Sequence, residues 1–421
     1  MTQIKDIMID LNPWWKEPFS LEYHEREIYP HLQKFMHMPQ IIAMTGLRRV
    51  GKTTLMHKIV EDTIKNGFDP GNILFFSFDE FKNINIRDLI REYEKLMEKD
   101  FRKNNYLLLL DEIQKLNSWE DQLKGIYDIF KGKVKIIISG SESLFLKKKS
   151  KETLNGRLFD FNIDLLSFKE FLHFKQVDIK PIDLYEKELI RLFDEFVLSA
   201  GFPEMVGIKE TEVIKKYVRE SIVKRVIYWD IPAIYDIKDV SVLESLVNII
   251  MEEPGQLLDL TELGKELKIT RQTVSNYLRY LQESFLVKKI YNYSRSRRKS
   301  ERKLKKFYPS IISVNLLFKE DPLFRSKVFE WLVVTQLKAD FFWRDAYKNE
   351  VDVILGDGNP IPVEIKYGKL NYKGLIAFMR TFKVKEGYIV SYESELEKEI
   401  NGNIIRVIPA FKFLLNPGNY F

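Results

Sequence analysis

Short apolar runs recur through the first 140 positions, each ending in a polar or Gly-rich turn. Positions 41–44, 72–78, 106–110 and 133–139 each carry such a run. Unbroken apolar stretches of this length suit strands buried on both faces, so they predict a parallel sheet. Between them, positions 54–60 and 86–103 repeat apolar residues at helical spacing. Strands alternating with helices specify an α/β class. Glu25–Glu27 is expected on a helix, and 185–250 keeps a helical period with a break at Gly201 and Pro203. A helix, a turn, a second helix and a strand come next over 257–291. From 326 onward the pattern gives an apolar helix, strands at 341–344, 351–355 and 362–366, a helix at 374–382, strands at 387–391 and 404–408, and a last short helix.

Composition narrows the chemistry. Cysteine is absent from the 421 residues, which excludes disulfides, Cys-ligated zinc and iron–sulfur clusters. The five histidines show no paired metal spacing. No run approaches the ~20 apolar residues that span a bilayer, and 1–11 lacks the apolar stretch of an export signal; a cytoplasmic protein without membrane contact is expected. The net charge is +6 but uneven: 288–306 holds ten Lys/Arg and one acid, a local +9, so the rest carries about −3.

Gly46-Leu47-Arg48-Arg49-Val50-Gly51-Lys52-Thr53, with Thr54 after it, reads G-x-x-x-x-G-K-T between a strand and a helix. This is a phosphate-binding P-loop. Its glycines let successive N–H groups turn inward around a phosphate, and the helix N-terminus adds partial positive charge. Lys52 is expected on the β/γ-phosphates and Thr53 on Mg²⁺. Leu107–Leu110 then runs into Asp111-Glu112, the Walker B pattern. A buried parallel strand delivers both acids beside the P-loop, Asp111 to the Mg²⁺ and Glu112 as general base for the attacking water. Trp14 and Trp15 of Asn12-Pro13-Trp14-Trp15 suit either packing on the core or a place near the adenine.

G-L-R-R-V-G-K-T-T-L, L-L-L-L-D-E-I-Q with Trp119-Glu120, I-S-G-S-E-S, L-N-G-R and L-S-F-K-E-F-L occur in fixed order. Together they resemble the prokaryotic, largely archaeal AAA-type ATPase family with a C-terminal PD-(D/E)XK-like domain. The N-P-W-W opening and Ala200-Gly201-Phe202-Pro203-Glu204 fit as well, Ala200 standing where the family usually has Gly. The resemblance covers nearly the whole chain and favours ATP over GTP. It implies that Ser141, with Ser139 next, is sensor 1, a role that competes with a simple helix N-cap, and that Arg157 is an arginine finger for a neighbouring subunit, a role that competes with anchoring its own loop. Arg219 and Arg225 are alternatives for a second sensing arginine. The expected organisation is an AAA-type P-loop core over 1–180, a helical lid over 181–250, a winged helix-turn-helix over 251–310 and a restriction-endonuclease-like α/β domain over 311–421.

The helix-turn-helix order offers Arg271, Gln272, Asn276 and Arg279 to a major groove, where their donors and acceptors match base edges. The basic stretch supplies Arg295, Arg297, Arg298 and Lys299 to phosphates. Farther on, Glu330 lies on the apolar helix, Asp352 on one strand, and Glu364 and Lys366 on the next. Helix Glu, Asp and E-x-K form the PD-(D/E)XK pattern, with Asp352 and Glu364 as oxygen ligands for a second Mg²⁺ and Lys366 beside the water. The expected function is Mg²⁺-dependent ATP hydrolysis coupled to binding or remodelling of double-stranded DNA, with a homo-oligomer admitted by Arg157. A slow nucleotide switch with a protein partner and an ATP-regulated nuclease are the alternatives.

Overall fold

The computed structural model describes residues 2–79, 84–141, 152–177, 181–356 and 358–420. It divides into two compact units, Met1–Leu165 and Leu166–Phe421. Among the described residues no helix is long and apolar enough to cross a membrane.

The first unit is built on a parallel sheet of β1 (Ile41–Thr45), β2 (Ile73–Ser77), β3 (Tyr106–Asp111), β4 (Val134–Gly140) and β5 (Leu158–Asn162), in spatial order β2-β3-β4-β1-β5. Every residue of β1 and β3 is buried. Each leucine of β3 contributes roughly 2 kcal/mol by leaving water. β5 pairs Ile41–Thr45 with Leu158–Asn162 in parallel.

β2 lies at the sheet edge, and the N-terminal segment closes it. Asn12 Nδ2 donates to the Phe75 carbonyl at 2.9 Å, and Asn12 Oδ1 accepts from the Phe75 N–H at 2.7 Å. The amide thus pairs with Phe75 as a neighbouring strand would. Trp14 and Trp15 both donate Nε1–H to the Ile73 carbonyl, at 3.3 and 2.8 Å. Trp14 rests edge-on against Phe19 and His57, so both tryptophans serve the core and the strand edge. The helix expected at Glu25–Glu27 does not form: the chain there is irregular and then turns, and the helix begins at Tyr29. Arg26 is instead buried and drawn to two carbonyls.

The second unit opens with helices Phe168–Phe174, Glu186–Ser199 and Thr211–Lys216, π-helical stretches Tyr217–Val223 and Val226–Asp230, and helix Val240–Glu252. Its sheet has nine strands: β6 (Gln256–Leu257), β7 (Val287–Asn292), β8 (Lys305–Pro309), β9 (Phe341–Arg344), β10 (Glu350–Leu355), β11 (Ile361–Lys366), β12 (Glu386–Ser391), β13 (Leu396–Ile400) and β14 (Asn403–Pro409). The order is β13-β14-β12-β11-β10-β9-β7-β8-β6. The hairpin β7–β8 joins the rest through parallel pairing of Tyr291 and Asn292 with Phe341 and Phe342. Val363, Ile365, Tyr388 and Val390 pack with helix Pro322–Gln336, whereas Ile389 packs with helix Lys373–Phe382. Alternation along each strand thus feeds two cores.

Candidate functional site

The P-loop leaves the C-terminal end of β1. Gly46 has φ +144°, and a Cβ on it would stand 2.3 Å from the Ile163 carbonyl oxygen, so only glycine fits. Gly51 also needs positive φ, at +93°, before helix Lys52–Lys65 begins. Lys52 is buried, and its ammonium donates to the carbonyls of Gly46 and Leu47 at 3.0 and 2.9 Å. Arg48 is half-buried; Arg49, Thr53 and Thr54 are exposed. Arg26, which the sequence did not mark, donates to the Val50 carbonyl at 2.7 Å and to that of Asp164 at 2.8 Å. It braces the loop against the chain leaving β5.

The acids arrive as the strand pattern requires. Thr53 Oγ1 donates to Asp111 Oδ2 at 2.9 Å. Ser139, at the end of β4, donates to Asp111 Oδ1 and accepts the Glu112 N–H at 3.2 Å. Glu112 takes a left-handed backbone with φ 53°, an unfavourable conformation for a residue with a Cβ. Gln114 donates Nε2–H to Glu112 Oε2 at 2.5 Å and to Ser141 Oγ at 3.1 Å, and the Ser141 hydroxyl reaches Glu112 Oε2 at 3.3 Å. Burial pushes the Glu112 carboxyl above its ordinary range; Lys52 opposes this and Asp111 adds to it. Ser139 therefore holds Asp111, and Ser141 with Gln114 holds Glu112. Thr53 and Asp111 are hard oxygen donors within hydrogen-bond distance of each other, a set that fits Mg²⁺. Residues 142 and 143 of the I-S-G-S-E-S motif lie outside the described residues.

Arg157 lies beside the start of β1, where its carbonyl accepts the Ile41 N–H at 2.8 Å. That is the end of the sheet opposite the P-loop, roughly 16 Å away at strand rise. Its guanidinium pairs with Asp128 at 3.0 Å within the same chain.

In the second unit, Asp259 caps helix Leu260–Glu266 and Thr270 caps helix Arg271–Glu283. A Cβ on Gly264 would lie 2.9 Å from the Ile269 carbonyl, so the glycine permits a tight turn between them. Val274, Leu278 and Leu281 are buried, while Arg271, Gln272 and Arg279 are exposed. Asn276 is half-buried and accepts from Gln272 at 3.2 Å. In the helical segment before Val240, Arg225 lies over the Trp229 ring and Arg219 is exposed near Glu220.

The basic stretch is not one solvated wing. Residues Arg297–Arg302 form a short helix, and Lys305 and Lys306 belong to β8, with Lys306 buried. Arg298 and Lys299 face solvent. Arg295 is exposed yet donates to the Phe382 carbonyl at 3.0 Å. The Arg297 side chain lies outside the described residues.

The E-x-K residues meet. Lys366 Nζ is 2.6 Å from Glu364 Oε1 and 3.7 Å from Asp352 Oδ2, and the Ile365 N–H donates to Asp352 Oδ2 at 2.8 Å. Burial raises both carboxyls above their usual range, Glu330 adding to the effect on Asp352 and Asp352 to that on Glu364. Among the described residues, no three His, Asp or Glu side chains converge as metal ligands.

Comparison with known proteins gives these features a frame. Residues 38–172 match a family described as an AAA domain, and 190–310 and 325–413 match two domains of unknown function, DUF8612 and DUF4143. The chain is 30% identical over 263 residues to an uncharacterized protein of Methanocaldococcus jannaschii, covering 61% of this chain and 57% of that one, so it spans little more than half the length of this relative. A second uncharacterized protein of the same organism is 26% identical over 99% of this chain and 94% of its own. Among solved structures, AMPPCP-bound DnaA from Aquifex aeolicus shows 16% identity and a TM-score of 0.28, over 65% of this chain and 92% of that one. The first unit thus carries the parallel sheet and P-loop of an AAA-type nucleotide-binding fold, and the second unit is similar to two domains of unknown function.

Proposed function

We propose that the chain is a Mg²⁺-dependent ATPase whose turnover is coupled to contact with double-stranded DNA. The observation that carries this reading is the linked set Thr53–Asp111–Ser139 and Glu112–Gln114–Ser141 at the mouth of the P-loop. Lys52 and the loop N–H groups bind the phosphates. Thr53 and Asp111 would hold a Mg²⁺, which would supply charge neutralisation for the phosphoryl group. Glu112 orients the attacking water and accepts its proton; its raised pKa makes the carboxylate a stronger base.

The DNA half of the reading rests on the capped helix pair and the exposed Arg271, Gln272, Arg279, Arg298 and Lys299. We read this part as a winged helix-turn-helix and the Glu330–Asp352–Glu364–Lys366 cluster as a PD-(D/E)XK-like fold.

The deciding experiment is the ATPase rate of the full chain with Mg²⁺, with and without double-stranded DNA, beside Lys52→Ala and Glu112→Gln. DNA stimulation that both variants abolish is expected. A slow rate indifferent to DNA and barely changed by Glu112→Gln would replace the reading with a nucleotide switch acting on a protein partner.

A further inference from the structure

The acidic cluster of the second unit contains a cation supplied by the chain itself. Lys306, from the β7–β8 hairpin, is 5% exposed. Its ammonium lies 2.6 Å from Glu350 Oε1 and 3.6 Å from Glu330 Oε1. Arg344 takes the other Glu350 oxygen at 2.7 Å, and Tyr308 donates to Glu330 Oε1 at 2.7 Å. Lys366 pairs with Glu364 and Asp352. Four carboxylates therefore face two lysines and an arginine. Glu364 Oε2 is buried without a hydrogen-bond partner.

Buried ions persist only where they are paired, because each has given up its hydration. Burial alone opposes charge on Lys306; the surrounding Tyr308, Glu330, Asp352 and Glu350 overcome it and hold the ammonium well above its ordinary range. A divalent cation entering among these carboxylates meets two ammonium groups already engaged with them. To bind there it has to displace one, and Lys306 sits on a strand fixed by pairing on both sides.

We propose that Lys306 fills the cation position of this cluster, in place of a divalent metal, and locks the β7–β8 hairpin onto Glu330 and Glu350. The unpartnered oxygen of Glu364 is then a remnant acceptor that no metal reaches while Lys306 is in place. The proposal is independent of the ATPase reading, because every residue it uses lies in the second unit.

The test combines Mn²⁺ binding and thermal unfolding of the full chain without nucleotide, in an Asp111→Asn background that silences the P-loop metal position. The parent is expected to show no Mn²⁺ binding that Glu364→Gln removes. Lys306→Met is expected to lower the Tm of the second unit by about 10 °C, and adding Glu350→Gln to recover at least half of that loss. If Lys306→Met fails to fold, Lys306→Met/Glu350→Gln is compared with Glu350→Gln alone, and near-equal Tm values are expected. Mn²⁺ bound by the parent and lost in Glu364→Gln would overturn the proposal. So would additive effects of the two substitutions, or, in the fallback comparison, a double variant melting well below Glu350→Gln.

Discussion

Gln114 Nε2 stands 2.5 Å from Glu112 Oε2, and its own Oε1 is buried without a partner. The carboxylate fixes which way the amide points, since only the NH₂ can donate to it. Donation favours the charged form of Glu112. Gln114→Ala is therefore expected to raise the Glu112 pKa further and shift the acid limb of the kcat–pH profile to higher pH. Turnover near neutrality is expected to fall about 10-fold with KM little changed. A profile that keeps its shape would leave Gln114 a packing residue.

Gly46 is held by space as well as by conformation. Gly46→Ala drives a methyl group into the Ile163 carbonyl next to the β1–β5 pairing. The expected loss is about 3 kcal/mol from strain and overpacking, with nucleotide affinity falling in parallel. Urea unfolding and binding of a fluorescent ATP analogue check both.

Asn12 satisfies both backbone groups of Phe75 and the Met8 carbonyl. Asn12→Ala leaves them unpaired inside the protein, at an expected cost of about 2–3 kcal/mol. Because an open strand edge invites pairing with other chains, light scattering during refolding should rise in this variant.

Arg298 and Lys299 are exposed cations with no carboxylate of their own in ion-pair reach among the described residues. Replacing both with Ser is expected to reduce the slope of log K against log salt by about two, with similar loss on unrelated DNA sequences. Gln272→Ala should instead change preference between sequences and leave the slope alone. Fluorescence anisotropy across salt separates the two.

Arg157 and Asp128 form a half-exposed pair worth about 0–1 kcal/mol. Arg157→Ala is expected to keep its Tm yet lose turnover about 10³-fold while binding ATP normally, as an arginine acting on a neighbour's phosphates does. Mixing it with Lys52→Ala subunits should restore part of the activity. Unchanged turnover would confine Arg157 to its own loop.

The sequence made some elements plain because local pattern and tertiary environment agreed. β1 to β4 are continuous apolar runs, and nothing but a doubly covered sheet suits them. β5 was not anticipated: only Phe161 of Leu158–Asn162 is buried, and the strand carries the exposed Asp160, whose carboxyl accepts from Thr45 Oγ1 on the neighbouring strand. β8 was hidden because Lys305 and Lys306 extend a basic run that reads as solvent-facing. β13, Leu396–Ile400, is almost wholly exposed, and only its end residues, Leu396 and Ile400, are apolar. The P-loop and Asp111-Glu112 were legible because phosphate chemistry fixes residue type and spacing together. Gln114, Arg26, Lys306 and Glu350 were not, because each draws its role from a partner distant in the fold or from a carboxylate whose orientation the sequence does not state.

The parallel pairing of β7 with β9 has an evolutionary consequence. Asn292 extends that ladder with its side chain, donating to the Arg344 carbonyl at 2.9 Å and accepting the Arg344 N–H at 3.2 Å. The two domains of unknown function, meeting between residues 310 and 325, are thus halves of one hydrogen-bonded sheet. A recombination event that passed on either half alone would transmit a raw sheet edge with it. Inheritance as an inseparable couple is the history this seam favours, whatever chemistry each half brings.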